Sequence, residues 1–235
     1  MPSYYYPELG EDSREIILEG EEYHHLSHVK RIAAGHSILL NGGNGWLAKA
    51  RICQINKKRA LLETTELIYY PRAKRRYAIA FSLLKGQHDE LIIEKCTELG
   101  AVDFFPLKLE HTVKDEGKNT LNRFEKIALA AIKQCDNPWL PKVHPVAKLA
   151  DGLSCIIGRG YLPVFCYEQE KASWIYDLDN EEKLCFIIGP EGGFSQQEQA
   201  LMSRYKKISI SSLICRAETA AIAISAQFQM LIARS

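Results

Sequence analysis

No stretch of roughly 18 consecutive apolar residues occurs in this chain, which removes a helical membrane span. The stretch from Met1 to Gly20 has no apolar signal core and opens with tyrosines, prolines and acids, so a cytoplasmic location is expected. Net charge is nearly absent: 30 Lys and Arg against 29 Asp and Glu leave +1, and any affinity for nucleic acid must rest on a local basic face. The seven cysteines form no Cys-x-x-Cys pair, and most lie in apolar runs. They are expected to be small, reduced core residues of a cytosolic protein. His24 and His28 share a helical face beside His25, but no carboxylate or thiol completes a ligand set, so no metal is expected. There is no Gly-x-x-x-x-Gly-Lys-Ser/Thr loop for nucleotide hydrolysis and no Gly-x-Ser-x-Gly nucleophile elbow. Gly158-Arg159-Gly160 opens like a dinucleotide fingerprint, yet Pro163 stands at its third glycine position and the stretch reads as a turn. No covalent nucleophile stands out.

What is present is an ordinary globular composition, 46% apolar and 25% charged, in 235 residues. Residues 1–72 read mainly as short strands: Arg14 to Leu18, Ser37 to Asn41, Trp46 to Ile55 and Ala60 to Leu67, with an amphipathic helix over Glu21 to Ile32. Tight Gly/Asn turns between such strands predict a small barrel. The basic, proline-marked joint Tyr69 to Arg76 predicts a domain boundary. From residue 73 to 235 strands and helices alternate, which predicts an α/β domain with a mostly parallel sheet. Its strands are Tyr77 to Leu84, Val102 to Leu107, Leu162 to Tyr167, Leu184 to Ile188 and Lys207 to Ser211. Its helices run from Asp89 to Leu99, Thr120 to Cys135, Ser195 onward, and Glu218 to Ala233. The last is apolar nearly all round, and either core placement or a subunit interface fits.

The chemistry is carried by two loops. Ile188-Gly189-Pro190-Glu191-Gly192-Gly193-Phe194-Ser195 leaves an apolar strand, turns through three glycines and enters a helix through a Ser195-x-x-Glu198 capping box. Ser211-Ser212-Leu213-Ile214-Cys215-Arg216 precedes Ala217-Glu218-Thr219-Ala220 at the next strand-to-helix junction. Ligands of α/β sheets collect at that carboxyl edge. Two such loops side by side suit an adenosine-like molecule held by backbone groups, with Arg216 and Glu218 at the mouth.

Ile-Gly-Pro-Glu-Gly-Gly-Phe-Ser-x-x-Glu followed by Arg-Ala-Glu-Thr-Ala resembles the RsmE family of ribosomal RNA methyltransferases, in the SPOUT superfamily. The likeness extends to Glu94-Lys95-x-Thr97-Glu98-Leu99-Gly100, Lys133-Gln134 and His25-x-x-His28-Val29-Lys30-Arg31, and so covers essentially the whole chain. It implies a PUA-like β-barrel that binds RNA over 1–72 and a trefoil-knotted SPOUT methyltransferase domain over 73–235. It also implies S-adenosylmethionine as cofactor, a homodimer paired through knot helices, and methylation of uridine N3 in 16S ribosomal RNA of the small subunit. A related enzyme acting on another RNA position, or a non-catalytic ribosome-assembly factor on the same fold, are the alternatives.

By the same likeness the cofactor residues are Ile188, Gly189, Pro190, Glu191, Gly192, Gly193, Ser211, Ser212, Leu213, Ile214, Thr219 and Ala220. RNA contacts fall to His28, Lys30, Arg31, Lys85 and Gln134. Uridine N3 must lose its proton before it attacks a methyl group, so a cation that stabilises the anion lowers the barrier. Arg216 is the candidate for that role. Proton removal needs a carboxylate, an imidazole or water, and Glu191 and Glu218 are the carboxylates at hand. Up to Arg76 there are 12 Lys and Arg against 9 Asp and Glu, a modest positive excess for phosphates. Family members commonly carry Gly-x-Arg-Ile-Leu-Arg where this chain has Ser211 to Arg216. Arginines are also replaced around Asn137 and in Glu110-His111-Thr112.

Overall fold

The structure is a computed structural model that describes residues 1–178 and 180–233. Position 179 and the last two positions of the expected second domain lie outside the described residues. The chain divides into two compact units: residues 1–72 with 132–140, and residues 73–131 with those from 141 onward.

In the first unit, β1 (Ser3–Tyr5), β2 (Glu15–Leu18), β3 (Ser37–Asn41), β4 (Trp46–Ile55) and β5 (Ala60–Tyr69) form one sheet in the order β1-β3-β4-β5-β2. β1 runs parallel to β3 and the other pairs are antiparallel. Along β4, Ala48, Ala50 and Ile52 are buried while Lys49, Arg51 and Cys53 face water, the two-residue alternation of a sheet with one dry face. The β4–β5 register shifts at Lys49/Ala50 and at Ile52/Gln54. Such bulges increase twist, and the sheet curls into a half-barrel over Tyr4, Ile16, Leu26, Ile38 and Leu40.

The helix expected over Glu21 to Ile32 is shorter and changes pitch. α1 (Gly20–His24) runs into a π-turn over His25–Val29. Ser27 Oγ donates to the Tyr23 carbonyl at 2.8 Å, a back-bond that competes with the regular ladder. The Asn41 side chain, fully buried, donates to the Asn137 carbonyl at 2.8 Å and thereby ties residues 132–140 to this unit.

The second unit is a parallel sheet with helices on both faces. Its strands are β6 (Arg76–Ser82), β7 (Asp103–Lys108), β8 (Lys142–Val143), β9 (Ala147–Lys148), β10 (Leu162–Cys166), β11 (Lys183–Ile188) and β12 (Lys206–Ile208). They lie in the order β12-β10-β11-β6-β7-β8, with β9 also on β7, and every pairing is parallel. Its helices are α2 (His88–Glu98), α3 (Thr120–Cys135, whose residues from Ile132 fall in the first unit), α4 (Leu149–Gly158), α5 (Gln196–Met202) and α6 (Ala217–Ile232).

β6 from Tyr77 and β11 from Leu184 are buried throughout, which explains why their sequences do not alternate. On one face Phe228 of α6 packs against Tyr77 and Phe186, with ring centroids 4.9 and 6.0 Å apart. On the other, Leu149, Leu153 and Ile156 of α4 cover Ala78, Ala80, Leu107, Phe165 and Ile187.

Three sequence expectations need correction. α4 was not anticipated, because Gly152, Ser154 and Gly158 interrupt its apolar repeat. Of the seven cysteines only Cys96, Cys166 and Cys185 are buried; Cys53 points outward from β4 and Cys155 from α4. And α6 is not buried all round: Ala221, Ile224, Phe228 and Leu231 are covered, but Met230 is 64% exposed.

Candidate functional site

β12, β10 and β11 are parallel neighbours, so their carboxyl ends deliver three loops to one edge of the sheet. Cys166 to Glu168, Ile188 to Phe194 and the stretch from Ser209 to Ala217 except Ser212, together with Ala220, line a cleft of about 740 Å³. That size suits a molecule of nucleoside dimensions.

The 189–195 loop is shaped by its own sequence. The Gly193 amide donates to the Pro190 carbonyl at 2.9 Å, and Gly193 sits at φ +70, a region costly for residues with a Cβ. Gly189 passes so close to the Phe194 ring that a Cβ there would meet its atoms at 2.8 and 2.9 Å. Phe194 is locked in turn by Phe165, edge-on at 5.6 Å. The capping box forms as expected: Ser195 Oγ accepts from the Glu198 amide at 3.3 Å, and Glu198 Oε2 accepts from the Ser195 amide at 2.9 Å.

The 209–216 loop is pinned at two points. Gln227 of α6 donates to the Ile210 carbonyl at 2.9 Å, and Ser211 Oγ accepts from the Leu213 amide at 3.1 Å. Leu213 and Ile214 are left 77% and 87% exposed. Arg216 caps α6 through its backbone alone and lines the cleft. Among side chains near the loops, burial pushes the Cys166 thiol far up, so it stays protonated and offers no nucleophile. Burial, then the Glu168 charge, raise the Tyr167 hydroxyl, leaving it a neutral donor.

Of the expected cofactor residues, Ile188, Gly189, Pro190, Glu191, Gly192, Gly193, Ser211, Leu213, Ile214 and Ala220 line this cleft; Ser212 and Thr219 do not. Glu218 is not at the mouth either. It is buried in the first turn of α6, where its carboxylate lies 3.1 Å from His88 Nδ1. Of the expected RNA contacts, His28, Lys30, Arg31 and Gln134 are exposed on the first unit and Lys85 on the second. His24 and His28 stack with centroids 4.8 Å apart. Among the described residues no cluster of three or more His, Cys, Asp or Glu is placed to hold a metal, and no helix is long and apolar enough to cross a membrane.

Sequence reasoning missed the Cys166–Glu168 loop and His111. The first was invisible because strand order, not sequence order, sets β10 between β11 and β12. His111 reaches the cleft wall from the loop after β7: its Nδ1 donates to the Gly192 and Gly193 carbonyls at 3.1 and 3.0 Å.

A parallel α/β sheet with a cleft at its carboxyl edge defines a ligand-binding α/β protein. The chain belongs to the RNA methyltransferase family, whose domain model matches residues 71–229, and an RNA methyltransferase PUA domain matches residues 18–65. Ribosomal RNA small subunit methyltransferase E of Synechocystis is 28% identical, covering 92% of this chain and 73% of the relative. Its namesake in Rickettsia conorii is 27% identical over 95% and 92%. The fold is shared with a solved ribosomal RNA small subunit methyltransferase E from Neisseria gonorrhoeae bound to S-adenosyl methionine, with TM-score 0.86, 23% identity and 98% of each chain covered. A putative methyltransferase from Legionella pneumophila, solved with SAM, superposes with TM-score 0.83 at 24% identity over 97% of each chain.

Proposed function

We propose that this protein is an S-adenosylmethionine-dependent methyltransferase of small-subunit ribosomal RNA, and that its target atom is N3 of a uridine. The observation that carries the reading is the three-loop cleft of a chain in the RNA methyltransferase family. Its lining fits the cofactor: Gly189, Gly192 and Gly193 leave backbone bare, and Ser211 and Ala220 are small. S-adenosylmethionine, when bound there, supplies a sulfonium methyl group.

This chain's residues do the rest. Backbone groups of the 188–193 and 211–214 loops hold the adenosine end, with Thr219 and Ser212 supporting those loops from outside the cleft. Arg216, in the cleft lining and making no side-chain capping bond to α6, stabilises the negative charge that uracil acquires when N3 is deprotonated. Glu191 also lines the cleft, within the set of groups able to manage the proton. Holding N3 in line with the methyl group supplies much of the rate.

The half-barrel of residues 1–72 serves as the PUA-like RNA-binding domain, with His28, Lys30, Arg31 and Gln134 on its surface. The part from residue 73 is the catalytic domain, trefoil-knotted where 209–216 passes to α6, with Lys85 as its RNA contact. Exposed Leu213, Ile214 and Met230 are apolar surface suited to a homodimer, and the setting is the cytoplasm.

Titration calorimetry with S-adenosylmethionine is the direct test. Binding is expected, and absence of binding removes the enzyme reading. The loss of the family's arginine before Cys215 favours one alternative, an assembly factor without turnover. Mass spectrometry of nucleosides from small subunits lacking the protein separates the two. Loss of 3-methyluridine supports the proposed reaction, and an unchanged level refutes it.

A further inference from the structure

The sequence leaves the proton acceptor open, and the structure offers one that the sequence did not single out. His111 stands in the β7–α3 loop, which is fastened both to the cofactor loop and to α5 behind it. The Glu110 amide donates to Glu198 Oε1 at 3.0 Å, and His111 Nδ1 donates to the Gly192 and Gly193 carbonyls at 3.1 and 3.0 Å. Thr112 braces the same loop, its Oγ1 accepting from the Leu109 amide at 2.7 Å and meeting Ser82 Oγ at 2.8 Å.

Both partners of Nδ1 are carbonyl oxygens, which only accept, so Nδ1 carries the hydrogen in the neutral ring as well as in the charged one. In the neutral ring Nε2 is therefore the lone-pair nitrogen. It has no protein hydrogen-bond partner among the described residues, and the side chain is exposed.

We propose that His111 is a catalytic residue of this site: its Nδ1 clasps the Gly192-Gly193 wall while its Nε2 accepts the N3 proton of the target uridine. The inference rests on the methyltransferase reading above. In the step, the N3–H bond breaks and its proton passes to Nε2. The N3 electron pair forms the bond to the methyl carbon, and the carbon–sulfur pair leaves on sulfur as a neutral thioether. The imidazolium then returns its proton to water. Glu191 extends from the same loop that His111 clasps, but no contact among the described residues holds its carboxylate, whereas the Nδ1 clasp fixes the imidazole ring. The charged groups on the elements around His111 are Glu110 beside it, Lys114 paired with Asp89 of α2, Asp115 paired with Lys108 of β7, Glu116 and Lys118 further along its loop, Glu191 on the cofactor loop and Glu198 in α5.

The two ring nitrogens can be tested apart. His111→Asn keeps an N–H near the Nδ1 position and removes Nε2, whereas His111→Ala removes both. Calorimetry should find S-adenosylmethionine affinity within about 2-fold of wild type in His111→Asn and weakened about 10-fold in His111→Ala, the scale of one lost hydrogen bond to the wall. Methyl transfer to small-subunit RNA should fall roughly 100-fold or more in His111→Asn. In the wild type, acidification should slow transfer without weakening cofactor binding, since both ring states keep the Nδ1 clasp. A His111→Asn protein with near-normal turnover, or wild-type turnover that does not decline on acidification, overturns the role of His111 alone. Should His111→Asn fold poorly, the wild-type pH profile of turnover against binding decides. A wild type that binds no cofactor instead refutes the methyltransferase reading itself.

Discussion

Replacing Gly189 by alanine tests whether the cofactor wall depends on a contact that only a bare backbone allows. The added Cβ would lie 2.8, 2.9 and 3.3 Å from three atoms of the Phe194 ring, well inside ordinary carbon contact. The ring cannot swing freely: it is buried, meets Phe165 edge-on at 5.6 Å and lies 6.5 Å from Tyr167. Overpacking of this kind costs about 1–3 kcal/mol. If the strain is relieved by displacing the 189–194 loop, the competent population falls, and S-adenosylmethionine affinity should weaken roughly 5- to 150-fold. Strain left in the folded state should appear as a fall in melting temperature of about 2–4 °C per kcal/mol. Calorimetry and thermal unfolding on the same samples measure both. Phe194→Leu opens room beside the new methyl group, so the double variant should recover part of each loss, with a coupling energy on the order of 1 kcal/mol. Wild-type affinity and melting in Gly189→Ala, or strict additivity in the double variant, refutes the reasoning.

Other expectations follow from the same geometry. Arg216→Ala should leave melting and cofactor affinity near wild type, because Arg216 caps α6 by backbone alone, yet cut turnover about 100- to 1,000-fold; a near-normal rate removes Arg216 from catalysis. Ser195→Ala should cost about 1 kcal/mol in denaturant unfolding through loss of the capping box, and an unchanged midpoint would show that α5 does not need it. Asp103 anchors a buried polar cluster beneath the sheet, accepting from Tyr161 at 2.5 Å and from His144 at 2.8 Å. Burial raises its carboxyl, but the bonds from His144 and Tyr161 and the charge of Arg159 outweigh that and hold it below the usual range. A carboxyl depressed in the folded state contributes stability that is complete above its unfolded value near 4 and is lost as pH falls through the folded one. The wild type should therefore lose melting temperature below about pH 4 more steeply than Asp103→Asn, and parallel acid curves would count against the cluster.

Much of the chain was legible without its structure. The spans of β3, β4 and α3 follow from period-two and period-3.6 patterns, and the capping box that starts α5 follows from Ser195 and Glu198 alone, because these are signals between residues close in sequence. The 189–195 loop was legible for the same reason: glycines at a strand-to-helix junction announce backbone exposed to a ligand. Tertiary structure decided what depends on distant partners. Strand order brought Cys166 to Glu168 beside the two recognised loops, and it turned Glu218 away from the mouth toward His88. Pairing across the sheet also carried His111, many residues away in sequence, onto the Gly192 and Gly193 carbonyls. Local sequence determined which segments form and where backbone lies bare; only the packing of parallel strands, whose order no local pattern encodes, determined which side chains meet at the cleft.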